Sequence, residues 1–171
     1  MTPRIAAFDR HAIRFTSAAP RREAAEKPTL VAYLRGARPF SVLALPLIYS
    51  ALLPFVLLDA WTTAYQWICF PMFGIARVGR RDYLVLDRQR LGYLNAIEKV
   101  HCMYCGYVNG VVAYVREVAA RTEQYWCPIK HGQPIIAPHD RYHLFADYGD
   151  AAGYRRGLEG LRRSLSAPRT D

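Results

Sequence analysis

From Pro39 to Ala76 the chain carries no Lys or Arg and a single acid, Asp59, while basic residues crowd both flanks. The block divides into FSVLALPLIYSALLPFVLL (40–58), DAWTTAYQ (59–66) and WICFPMFGIA (67–76). Crossing a hydrocarbon core of about 30 Å takes about 20 apolar residues in a helix. Backbone groups in lipid must bond within their own segment, which forces helices on both outer pieces. Residues 41–58 and 61–76 approach that length, so the pattern predicts a two-helix transmembrane hairpin turning at Asp59–Thr63, with Pro46, Pro54 and Pro71 as local bends. Arg35 and Arg38 precede the block, Arg77, Arg80 and Arg81 follow it, and the turn holds only Asp59. The positive-inside rule then puts both termini in the cytoplasm, with Trp61, Tyr65 and Trp67 as an interfacial belt. The alternative is a hairpin buried in a soluble protein, which few small domains could cover. Cys69 falls inside the block and reads as an apolar residue.

Beyond Asp82 the period becomes that of amphipathic helices. Leu84, Leu91, Leu94 and Ile97 share helical spacing behind Asp82 as N-cap, and Val111, Tyr114, Val115 and Val118 mark a second helix over 111–124. Asn109-Gly110 between them is a turn dipeptide. Asn95, Glu98, Cys102, Cys105, Asn109 and Arg116 recur as a polar stripe, which argues for an interior helix over a third span. Residues 132–150 are irregular, with Pro134 and Pro138, and 150–166 form a basic amphipathic helix with Leu158, Leu161 and Leu165 opposite Arg155, Arg156, Arg162 and Arg163. That helix either packs one Leu stripe or meets anionic headgroups.

The formal charge of +9 over 171 residues therefore lies outside the apolar block. It suits nucleic acid, anionic lipid or topology signalling, and only the last two also explain the block. No recognised nucleic-acid-binding motif accompanies the charge. Residues 1–34 are basic with no apolar leader core, which predicts a disordered tail over a targeting segment. The expected organisation is a tail (1–34), a hairpin (35–81) and a cytoplasmic helical domain (82–171).

Four cysteines without an export signal read as ligands or active thiols. Cys102, Cys105, Cys127 and His131 form a C-x2-C-x21-C-P-x2-H set, the donor types of a Cys3His zinc site, with iron or copper as alternatives. Gly106 and Pro128 follow cysteines in the manner of metal knuckles. One condition attaches: a continuous helix over 102–124 would hold Cys105 and Cys127 about 33 Å apart, so a one-chain site needs a reversal, and Asn109-Gly110 can supply it. Otherwise the half-sites meet across a homo-oligomer. A dithiol reading uses Cys102 and Cys105 beside His101 alone. Glu98 and His101 also make an E-x-x-H pair of the di-iron kind, though further carboxylates are needed. His139 and His143 flank DRY and read as exposed.

Over CMYCGYVNGVVAYVREVAARTEQYWCPIKH the chain resembles an uncharacterised group of small bacterial membrane proteins that carry C-x-Y-C-x-Y-x-N-G and R-T-E-Q-Y-W-C-P-I-K-H segments. The resemblance covers about residues 80–150 and implies a bacterial origin but no activity. Asn is common in that group at the position of His101, which argues against a required role for His101.

The combined expectation is an all-α protein of the bacterial inner membrane, anchored in the bilayer by the hairpin. Its cytoplasmic domain would hold a zinc ion on Cys102, Cys105, Cys127 and His131. With all four positions filled by protein the site would be structural, and the protein would be non-enzymatic, acting on a protein partner or supporting a membrane complex. The alternative is a membrane-associated thiol oxidoreductase or metal-handling protein built on Cys102 and Cys105.

Overall fold

The apolar block is one helical run and not a hairpin. In the computed structural model, which describes residues 27–36 and 38–166, α1 (Leu30–Gly36) leads into α2 (Pro39–Ser50) and α3 (Leu52–Met72). Most of the tail expected over 1–34 lies outside the described residues. Ala51 joins α2 to α3 with helical dihedrals, φ −64° and ψ −16°. Pro54 has no N–H to offer the carbonyl of Ser50, which loosens the joint without reversing the chain. Asp59–Thr63, the expected turn, lies in the middle of α3. The run ends where Gly74 adopts φ +66°, and the Ile75 N–H donates back to Phe70 O at 2.8 Å.

The expected helix from Asp82 is also replaced. Residues 80–83 make a single turn, α4 (Arg80–Tyr83), and the chain then runs without an α-helix to Asn95, with one 3₁₀ turn at Arg88–Arg90. A long helix, α5 (Ala96–Trp126), starts at a capping box: Asn95 Oδ1 accepts from the Glu98 N–H at 2.9 Å, and Glu98 Oε2 accepts from the Asn95 N–H at 2.8 Å. Glu98 is thereby a helix cap and not half of a metal pair.

Nor does α5 turn at Asn109-Gly110. The Asn109 amide donates to Cys105 O of its own helix at 2.8 Å. Gly110 lies where the connecting segment crosses: a Cβ there would stand 2.8 Å from Tyr83 O and 3.1 Å from Leu84 Cα. Gly106, one turn earlier, faces Leu86. The two glycines form a groove that takes the backbone of residues 83–86, the part of a strap over residues 76–86 that crosses α5.

The strap lets α5 run parallel to α2 and α3. Tyr104 Oη donates to Ile48 O, Tyr107 Oη to Asp59, and the hydroxyls of Thr63 and Tyr65 meet Tyr114 and Thr122. Residue numbers rise together along both partners. Phe70, Ile75, Val78, Tyr114, Val118 and Leu165 form the core where α3 and α5 end.

Residues 127–150 fold back over that end without a strand, held by one parallel bridge in which Lys130 N–H donates to Ala146 O and Ala146 N–H to Pro128 O. The last helix, α6 (Ala151–Arg163), begins at Asp150, whose carboxylate caps the Gly153 N–H, and matches the expected basic helix: Leu158 and Leu165 are buried. Gln124 of α5 donates to Leu161 O and Ser164 Oγ, and Ala76 N–H donates to Leu165 O, so the C-terminal segment closes onto the strap. Among the described residues the architecture is all-α, as expected, but built on two parallel long helices.

Candidate functional site

The four expected metal ligands do not converge in one chain. Cys102 and Cys105 lie on α5, Cys127 is its C-cap residue, and His131 lies four residues beyond on the exposed surface. With no break between them, 22 residues of helix put Cys105 and Cys127 about 33 Å apart. Among the described residues no group of three or more His, Cys, Asp or Glu is placed to hold a metal ion. The reversal that a shared one-chain site required is absent because the strap, not a turn, occupies the Gly110 face. His131 instead stacks on Tyr142 with ring centroids 5.9 Å apart, and its backbone N–H donates to Tyr142 Oη. Cys102 and Cys105, three apart on one helical face, stay together as free thiols, Cys105 exposed and Cys102 half-buried. His101 lies against Tyr49 at 5.9 Å between centroids.

His139 is not the exposed residue its surroundings suggested. Its Nδ1 accepts from the Arg141 N–H at 3.2 Å, which leaves Nε2 to donate to Glu123 Oε2 at 2.8 Å. His143 is exposed, as expected.

Two polar clusters that sequence reasoning missed hold the fold together. On α3, Asp59, Thr62, Gln66 and Phe70 are buried at spacings of three and four, one helical face. Arg80 of the strap grips Asp59 with two hydrogen bonds, Nε to Oδ1 at 2.8 Å and a terminal nitrogen to Oδ2 at 2.6 Å, and Tyr107 Oη adds a third at 2.9 Å. Two turns on, the Gln66 amide closes on Val78 from both sides, accepting its N–H at 2.9 Å and donating to its carbonyl at 3.3 Å, while also donating to Tyr114 Oη at 2.6 Å. The strap is thus pinned by side chains of the helix it crosses.

The second cluster lies where α5 meets the C-terminal segment. Glu117 Oε1 accepts from Arg121 Nε and from two nitrogens of Arg141, whose remaining terminal nitrogen donates to Gln124 at 2.9 Å. Arg121 also donates to Ala76 O at 2.6 Å. Burial works against the ionised form of Glu117, but hydrogen bonds and charge from Arg141 and Arg121 outweigh it and hold the carboxyl below its usual range. These groups satisfy one another, so the cluster is built to join elements and not to present a reactive atom.

Two features face outward. An apolar groove of about 480 Å³ between α3 and α5 is lined by Trp61, Tyr65, Val115, Ala119, Thr122 and Trp126. The side of α3 opposite its polar seam is left bare: Leu53, Leu57, Ala60, Ala64, Ile68 and Pro71 are all exposed, Leu57 at 60% and Ile68 at 65%. The run Pro39–Met72 is the one described helix long and apolar enough to cross a membrane.

No protein-family model matches the chain, and neither the curated proteins nor the solved structures yield a match to it.

Proposed function

We propose that the protein is a membrane-bound, non-enzymatic helical protein that holds its basic C-terminal lobe at a lipid surface and acts by binding a partner there. The observation that carries this reading is the bare, uncharged side of α3, whose other side is committed to the lobe through Asp59 and Gln66. Soluble proteins rarely leave such a stripe uncovered. Flotation with anionic vesicles tests it: the full chain rises with the lipid, and Leu57→Lys/Ile68→Lys stays in the dense fraction with unchanged helix content. Equal flotation of both proteins removes the reading.

A second reading is favoured by the isolation of Cys102 and Cys105 from Cys127 and His131. Left as a helical pair, the two thiols suit thiol exchange or soft-metal handling. A zinc ion on all four expected ligands requires two copies, the thiol pair of one meeting Cys127 and His131 of the other. Metal analysis of purified protein separates these: about one zinc per two half-sites supports the shared ion, and metal-free protein whose Cys102 and Cys105 react with a thiol reagent supports the dithiol.

A further inference from the structure

The helix long enough to cross a bilayer has a second helix and charged groups packed along much of its length. The 34-residue run is about 51 Å long at 1.5 Å per residue, ample for a 30 Å core. But α5 accompanies it from Ile48 and Tyr49, beside Tyr104 and His101, to Tyr65, beside Thr122, a shared length of about 26 Å. Ala96 begins α5 five residues before His101, about 8 Å further toward the start of α2, and Pro39 is ten residues, about 15 Å, before Tyr49. At its N-terminal end only about 7 Å of the run therefore extends past α5, and at its other end about 5 Å.

Charged residues mark both ends of α5. Glu98 and Lys99 stand at its start, the Arg88–Arg90 turn packs against it, and Glu117, Arg121 and Glu123 lie in its last third. Any 30 Å stretch of the run, if it crossed upright, would carry one of these groups, or the Asp59–Arg80 pair, into hydrocarbon, where charge is strongly disfavoured. Turned on its side, the molecule meets no such conflict. The bare side of α3 is uncharged along its length, and a cation over an aromatic ring sits beside it: Arg77 lies 3.8 Å over the ring of Trp67, and Trp61 is 78% exposed. Tryptophan beside arginine, on a protein of net charge +9, complements an anionic headgroup layer.

We propose that the long apolar helix lies in the plane of one leaflet of an anionic bilayer, with the Leu53–Pro71 side among the upper acyl chains and the lobe above it in water. This rests on the membrane reading above and replaces crossing by partial immersion.

The test is a nitroxide scan of the full chain in anionic vesicles, with single labels at positions 43, 53, 57, 60, 64 and 68 in a background where all four cysteines are serine. Collision with oxygen against a water-soluble nickel complex gives each label's depth. Immersion along one leaflet predicts a near-constant depth of about 5–10 Å for positions 53 to 68. A profile that passes from one interface through a maximum near 15 Å to the other overturns the inference and leaves membrane binding intact. Labels that behave as in water, or that neither agent reaches because a second copy covers them, overturn both. A measurement with native cysteines guards against a misfolded background. In Trp126→Phe protein, Trp61 and Trp67 lie six residues, about 9 Å, apart along the helix. Lying flat, both are quenched most by the same shallow-brominated lipid; upright, they prefer different bromine depths.

Discussion

Gly106 and Gly110 sit one turn apart on α5, and replacing each with alanine has opposite expected effects. In a helix interior Gly→Ala gains about 1 kcal/mol from reduced chain entropy. At Gly106 the new methyl would meet Leu86 Cδ2 at 3.2 Å, the far end of a flexible side chain, and Val85 O only at 3.7 Å. Most of the gain survives, so Gly106→Ala stabilises by up to about 1 kcal/mol. At Gly110 the methyl would stand 2.8 Å from Tyr83 O and 3.1 Å from Leu84 Cα, backbone atoms of a strap held by Asp59 and Gln66. Overpacking of that kind costs about 1–3 kcal/mol, so Gly110→Ala is neutral to destabilising by about 2 kcal/mol after the propensity gain. At about 2–4 °C per kcal/mol for a chain of this size, the midpoints of the two variants separate by several degrees, read by circular dichroism in detergent. Equal stabilisation by both substitutions would refute the strap.

Other outcomes follow from the same contacts. Glu117→Gln leaves Arg121 and Arg141 buried without their counter-charge and is expected to cost about 3–5 kcal/mol in the same melts; a loss below about 1 kcal/mol would show that the cluster is solvated. Because the Glu117 carboxyl is held below its ordinary value of 4.5, its contribution is complete above that pH and is lost as pH falls through the lower folded value. Wild-type stability should therefore drop more steeply than that of Glu117→Gln in the acid limb below pH 4.5. Asp59→Asn removes the charge that fixes a partly exposed Arg80, with an expected loss of about 1–3 kcal/mol and faster hydrogen exchange over residues 80–84; unchanged exchange there would mean that Gln66 alone holds the strap. Spin labels on Cys105 and Cys127, with the other cysteines replaced, should give one distance near 33 Å from a continuous helix, whereas a short distance would bring back the one-chain metal site.

The all-α class, the apolar run and the helices around Tyr114 and Leu158 were legible because burial there follows helical periodicity. Asp59 was not, since a lone acid between apolar runs reads as a turn. Reading a turn there broke the spacing that joins it to Thr62, Gln66 and Phe70 on one helical face, and Arg80, which makes the acid tolerable inside, lies 21 residues on and follows no local rule. Leu84, Leu91 and Leu94 gave a helical period to a segment that is mostly non-helical, while the Asn95–Glu98 capping box that marks the true start was read as part of a polar stripe. Asn109-Gly110 carried a turn signal that the packing of Tyr83 against Gly110 overrides. The cysteine and histidine spacing matched a metal set in type and number, and only the continuity of α5 separates its members.

The most direct test of the account is whether both ends of the apolar run face the same side of a membrane. Arg38→Cys in an otherwise cysteine-free chain, and a chain that keeps only Cys127, exposed beside the far end of the run where Trp126 packs on Phe73, would each be added to sealed anionic vesicles and exposed to a membrane-impermeant thiol reagent outside. Immersion in one leaflet predicts complete labelling at both positions, before and after the vesicles are opened with detergent. Protection of either position until detergent is added would contradict it and show that the helix crosses.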